Sequence, residues 1–126
     1  MKILLQLLLI SIVANATPIY LKCEAIDKTA SANETPKIIS LEIKLNEETN
    51  EVTVSEINFN VSYNMKGFFD SKTIKAQRIS AGTYGAKTVY EIDRKTLEIS
   101  RTSTIQSSYK HFQGTCNVIE VSKNKI

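Results

Sequence analysis

In the stretch KIISLEIKLN, residues 37–46, Ile39, Leu41, Ile43 and Leu45 alternate with Ser40, Glu42, Lys44 and Asn46. A period of two places one set of side chains against a core and the other in water, so the pattern predicts a strand. The polar run NEETNE follows as a turn. Beyond it Val52 and Val54 alternate in one frame, whereas Ile57, Phe59, Val61 and Tyr63 alternate in the other. A slip of one residue turns every later side chain to the opposite face, and a bulge at Ser55–Glu56, bending the strand, is the expected way to absorb it.

The same period persists downstream. TIKAQRI (73–79) reads as a strand, with Asp70 as the cap of a short helix being the alternative. AGTYG (81–85) is a glycine turn, and KTVYEID (87–93) a strand with Val89 or Tyr90 inward. DRKT turns the chain, LEISR (97–101) returns as a hairpin partner, and GTCNVIEV (114–121) closes the fold. STIQSSY (103–109) has no firm period, and DKTASANETP (27–36) is the longest polar loop. Turn signals recur every 8–12 residues or so, as in all-β sandwiches and barrels. The expected architecture is all-β: a small antiparallel barrel or strongly curled sheet of about seven to eight strands. A two-sheet sandwich is the alternative.

The amino terminus reads differently. MKILLQLLLISIVANA has a lysine, then an apolar run from Ile3 to Val13 broken by Gln6 and Ser11, then Ala14-Asn15-Ala16. That is the pattern of a secretory signal peptide with cleavage after Ala16. The run is short of the roughly 20 residues that cross a bilayer. The expectation is a signal peptide over 1–16 and one exported β domain over 17–126, periplasmic or secreted, with no membrane span after cleavage.

Export gives meaning to the two cysteines, Cys23 and Cys116, which stand near the two ends of the mature chain. In an oxidising compartment an even cysteine count in a short domain predicts a disulfide. A redox-active pair usually shows C-x-x-C, and zinc needs four convergent ligands; neither pattern is present. A Cys23–Cys116 bridge would bring the first and last strands within ~5–6 Å and staple the start of the fold to its end.

Motifs of catalysis are missing. The one histidine, His111, lies in SSYKHFQG and reads as a surface residue on a loop rather than a general base. No G-x-S-x-G or phosphate-binding glycine loop occurs. Glu47, Glu48 and Glu51 lack the residue order of a calcium loop and read as a solvated turn. No cofactor or metal is expected, and the balance leans away from an enzyme, although residues converging from separate strands would form a site that no motif reveals.

Charge is uneven along the chain. Residues 17–56 carry four lysines against eight carboxylates, and residues 57–126 carry eleven lysines or arginines against five. A basic side with Lys66, Lys72, Lys75, Arg78 and Lys87 would suit an anionic envelope polymer; strand alternation that scatters these charges is the favoured outcome. Nucleic acid is not an expected partner, since no motif supports it and the excess of positive charge is small.

YLKC at the start, YEIDRKT in the late hairpin and GTC near the end resemble a loose group of small secreted proteins of bacteria and phages. That resemblance covers most of the mature chain and implies a compact, bridged β fold without indicating an activity. Where the group would place a glycine after the hairpin threonine, this chain has Leu97. ISAGTYG (79–85) is also similar to the inhibitory loop of membrane-bound-type periplasmic lysozyme inhibitors, through Ser80 and Tyr84, without the tryptophan that follows there. The resulting expectation is a non-catalytic binding or envelope-associated protein. Its alternative is an inhibitor of a cell-wall-degrading enzyme, engaging it through a loop with Ser80, Gly82, Tyr84, Gly85 and Lys87.

Overall fold

The computed structural model describes residues 18–80 and 85–119. Eight strands follow one another: β1 (Ile19–Asp27), β2 (Ile38–Asn46), β3 (Glu51–Glu56), β4 (Val61–Phe69), β5 (Thr73–Ile79), β6 (Lys87–Asp93), β7 (Glu98–Ile105) and β8 (Ser108–Ile119). Each pairs antiparallel with the next, and β8 returns to pair with β1, giving a closed up-and-down barrel rather than a sandwich. Closure gives each of these strands a partner on both sides, so none is an edge strand of the kind that exposes other β folds to edge-to-edge pairing.

Alternation decides what fills the barrel. Leu21, Cys23 and Ala25 of β1, Ile39 to Leu45 of β2 in steps of two, and Val52 and Val54 of β3 all point inward and are buried. Met65, Ile74, Ala76, Tyr90, Ile92, Ile99, Phe112 and Cys116 complete one core. An eight-stranded barrel has an interior just wide enough for side chains, and here they occupy it. Cys23 and Cys116 stand directly opposite each other in the β1–β8 ladder and form the disulfide, their Cα atoms 4.0 Å apart.

Gly114 lies in the same ladder, opposite Ala25. A Cβ added there would sit 1.7 Å from the Glu24 carbonyl oxygen and 2.6 Å from Ala25 Cα. The glycine of GTC therefore permits β1 and β8 to approach closely enough for the barrel to close.

The structure corrects the expected bulge at Ser55–Glu56. The chain leaves β3 at Glu56, makes a 3-10 turn over Ile57–Phe59, reverses at Asn60 with φ of 54°, and returns as β4. Glu56 stays in the inward frame of Val52 and Val54, and β4 pairs back with Val61 opposite Glu56 and Tyr63 opposite Val54. Ile57 and Phe59 belong to the turn and are exposed.

Asp70 caps a strand turn rather than a helix, accepting hydrogen bonds from the backbone N–H groups of Lys72 and Thr73. STIQSSY holds the β7–β8 hairpin, with Gln106 at φ of 54°. Leu97 keeps the left-handed conformation (φ 61°) of the glycine expected there while its side chain packs against the core.

Candidate functional site at one mouth of the barrel

The two ends of the barrel differ. One is bounded by the β2–β3, β4–β5 and β6–β7 turns, and its interior is apolar. The other is bounded by the long 28–37 loop, the 57–60 turn, the end of β5 and start of β6, and the 106–107 turn. Towards this second mouth the inward frame of five strands carries a charged residue: Asp27, Glu56, Arg78, Arg101 and, on β8, Lys110.

The deeper row runs Tyr90, Arg101, Phe112 and Asp27 across β6, β7, β8 and β1. Glu56 projects from β3, four strands away and hence across the lumen, to meet it. Arg101 Nε donates to Glu56 Oε2 at 2.8 Å and Nη2 to Oε1 at 3.3 Å. The Tyr90 hydroxyl donates a short hydrogen bond to the same carboxylate. The Glu56 side chain is only 3% exposed and that of Arg101 12%. Burial of so polar a group is tolerable only when its hydrogen-bonding capacity is met, and Glu56 meets it through both partners. Burial, then the Glu56 hydrogen bond, push the Tyr90 phenol well above its ordinary range. For Arg101, burial works against the charge, but the hydrogen bond and attraction of Glu56 outweigh it and hold the guanidinium protonated.

The outer row runs Arg78, Thr88, Ser103 and Lys110 across β5 to β8. Lys110 Nζ reaches Asp27 Oδ2 at 3.4 Å. Asp27 is buried, and its carboxyl is held below the usual range by the Thr29 hydroxyl first, against the opposing effect of burial, with help from the Thr29 N–H and Lys110. Arg78 has no carboxylate partner among the described residues. It lies 3.8 Å above the Tyr63 ring and donates to Ser80 Oγ (3.2 Å) and Thr88 Oγ1 (3.4 Å), and Thr88 shares a hydrogen bond with Ser103.

Large apolar side chains stand exposed around the same mouth. Ile57 and Phe59 project from the 57–60 turn, and Ile38 and Val61 begin their strands beside it. Ile79, Ile105 and Tyr109 continue the rim on β5, β7 and β8. Of the other exposed large hydrophobics among the described residues, Ile19, Phe68 and Val118, none lies at this end.

The residues singled out by sequence are distributed as follows. Ser80 is half-buried, accepts from Arg78, and donates its N–H to the Ala86 carbonyl. Gly85 (φ 55°) and Lys87 are exposed at the mouth. Gly82 and Tyr84 lie outside the described residues. His111 is on β8, not on a loop: it faces outward, with Nδ1 3.0 Å from Thr102 Oγ1 and its ring stacked on Tyr109. The five-residue basic side is divided. Arg78 points into the mouth and Lys87 stands on its rim. Lys66 and Lys75 border a depression of about 300 Å³ at the opposite end with Phe68 and Asp70, and Lys72 sits in the adjoining turn.

Sequence reasoning missed Glu56, Arg101, Tyr90 and Asp27 as a group. The available signal was parity: each charged residue continues an inward alternation, as in Val52-Val54-Glu56 or Ile74-Ala76-Arg78. Among the described residues no cluster of three or more metal-ligating side chains occurs, and no helix is long and apolar enough to cross a membrane. No protein-family model matches the chain, and no curated protein matches it in sequence.

Proposed function

We propose that this chain is an exported, non-catalytic binding module that docks a partner protein on the mouth carrying Glu56, Arg78 and Arg101. The observation that carries this reading is the coincidence at one end of an exposed apolar rim and a row of inward charges. Exposed large apolar side chains anchor protein interfaces, and arginine is enriched among the residues that carry binding energy. The lumen is filled with its own side chains, which favours a partner resting on the mouth over a small molecule entering the barrel. The disulfide is compatible with an oxidising compartment, and the amino-terminal pattern supports export with cleavage after Ala16. Resemblance to periplasmic lysozyme inhibitors makes a cell-wall-degrading enzyme the first partner class to test.

The test places a photo-crosslinking residue at Phe59 on the rim, or at Phe68 at the opposite end, in the exported protein. A discrete protein adduct from position 59 and none from position 68 is expected. Equal labelling from both, or none from 59, would remove the mouth as the docking face. Hen egg-white lysozyme activity with and without the purified chain tests the inhibitor form of the reading directly.

A further inference from the structure

Among the described residues the mouth holds three inward cations and two inward carboxylates: Arg78, Arg101 and Lys110 against Glu56 and Asp27. Glu56 is taken by Arg101 and Asp27 by Lys110. Arg78 is left over. A guanidinium offers five N–H donors, and Arg78 places one on Ser80 and one, over a long 3.4 Å, on Thr88. Its buried Nε has no acceptor among the described residues. Removing a charge from water without a counter-charge is costly, and a donor left unpaired adds to that cost.

The position is built rather than incidental. The β4–β5 ladder covers only Gly67–Phe69 against Ile74–Ala76, so towards the mouth the two strands are not paired in register. Arg78 bridges this seam from β5 by stacking its guanidinium on Tyr63 of β4. Stacking holds the guanidinium in place and leaves the buried Nε and the remaining Nη protons without an acceptor among the described residues. A planar fork with two parallel N–H groups matches an oxyanion bidentately. Thr88 and Ser103 supply hydroxyls beside it.

We infer that Arg78 is a receptor for a carboxylate, presented by the docked partner, that completes the charge balance of the mouth. The inward groups carry one excess positive charge, which a monoanion balances; a dianionic phosphate would leave these groups with an excess of negative charge. This deepens the reading of the mouth as the docking face, but its test needs no partner. The contrast with Arg101 supplies the internal control, since that guanidinium already spends Nε on Glu56.

The experiment follows the arginine Nε–H resonances of the nitrogen-15-labelled, disulfide-intact chain during titration with sodium acetate, and with sodium chloride at matched ionic strength. Arg78→Lys, which lacks Nε, identifies the Arg78 signal by its loss. Acetate is expected to shift the Arg78 resonance saturably while leaving Arg101 in place, and chloride to give no saturable shift. A linear response shared by both arginines, or an Arg78 signal indifferent to acetate, would overturn the assignment. Saturation by inorganic phosphate more tightly than by acetate would overturn the carboxylate class. The wild-type titration decides these outcomes even if Arg78→Lys fails to fold. A saturable acetate site with no adduct from position 59 would separate a true anion site from a mistaken docking face.

Discussion

Glu56 and Arg101 offer the sharpest energetic test of the barrel interior. Replacing Glu56 by leucine leaves the Arg101 guanidinium, whose side chain is 12% exposed, without its counter-ion and without acceptors at Nε and Nη2. It also leaves the Tyr90 hydroxyl without its carboxylate. Breaking a buried pair by removing one partner typically costs about 3–5 kcal/mol. Arg101→Met leaves a buried carboxylate still bound to Tyr90, at a cost at the lower end of that range, about 3 kcal/mol. Replacing both charges by apolar residues, Glu56→Leu with Arg101→Met, removes attraction and desolvation together, and such exchanges are often neutral or stabilising. The double variant should therefore be more stable than either single one, with a coupling energy of at least about 3 kcal/mol.

The assay is urea unfolding at neutral pH with the disulfide intact. Given a slope of roughly 1–3 kcal/mol per molar urea, each single change should lower the midpoint by about a molar or more. If the single effects simply add in the double variant, the two side chains do not act as a pair and the cross-barrel bridge is refuted.

Three further outcomes test other parts of the structure. Replacing both cysteines by alanine should destabilise the barrel by roughly 4–5 kcal/mol, because the bridge closes a loop with a sequence separation of 93; a midpoint shift near zero would show that β1–β8 pairing alone closes the barrel. Gly114→Ala forces a Cβ into the β1 backbone and should cost about 3 kcal/mol or prevent folding, whereas Gly85→Ala, with open space around it but φ of 55°, should cost about 1–2 kcal/mol; equal effects in unfolding titrations would contradict the close β1–β8 approach. Tyr90 has a folded pKa raised by burial and Glu56, so the native state holds its proton where the unfolded chain loses it. Its contribution to stability is therefore complete at neutral pH and declines as pH rises above about 10; Tyr90→Phe should flatten that alkaline decline, and an unchanged profile would show that another group causes it.

Much of the architecture is visible in the strand pattern, and the failures have local causes. Ile57 and Phe59 share a frame with Val61 and Tyr63, so spacing alone cannot distinguish a 3-10 turn from a continuing strand; the left-handed Asn60 makes the difference. Leu97 shows that a turn can keep a positive φ without glycine when the side chain gains core contact. His111 reads as a loop residue because SSYKHFQG is polar, yet pairing with Thr102 of β7 extends β8 through it, and its carbonyl accepts from the Lys28 N–H just past β1. Arg78 reads as a surface base because its charge outweighs its place in the Ile74-Ala76-Arg78 frame.

Period-two alternation, turn chemistry and two terminal cysteines were enough by themselves to determine an all-β domain closed from first strand to last. These are local properties, or in the case of the disulfide a pairing with one possible partner. Which charges meet was decided only by the tertiary structure. Glu56 and Arg101 are 45 residues apart, and neither carries a motif. They become partners because closing the ring sets β3 opposite β7, and inward side chains at one level of a barrel converge on a common axis. The same closure pairs Lys110 with Asp27, leaves Arg78 without a carboxylate among the described residues, and gathers most of the exposed large apolar residues at the mouth where it stands.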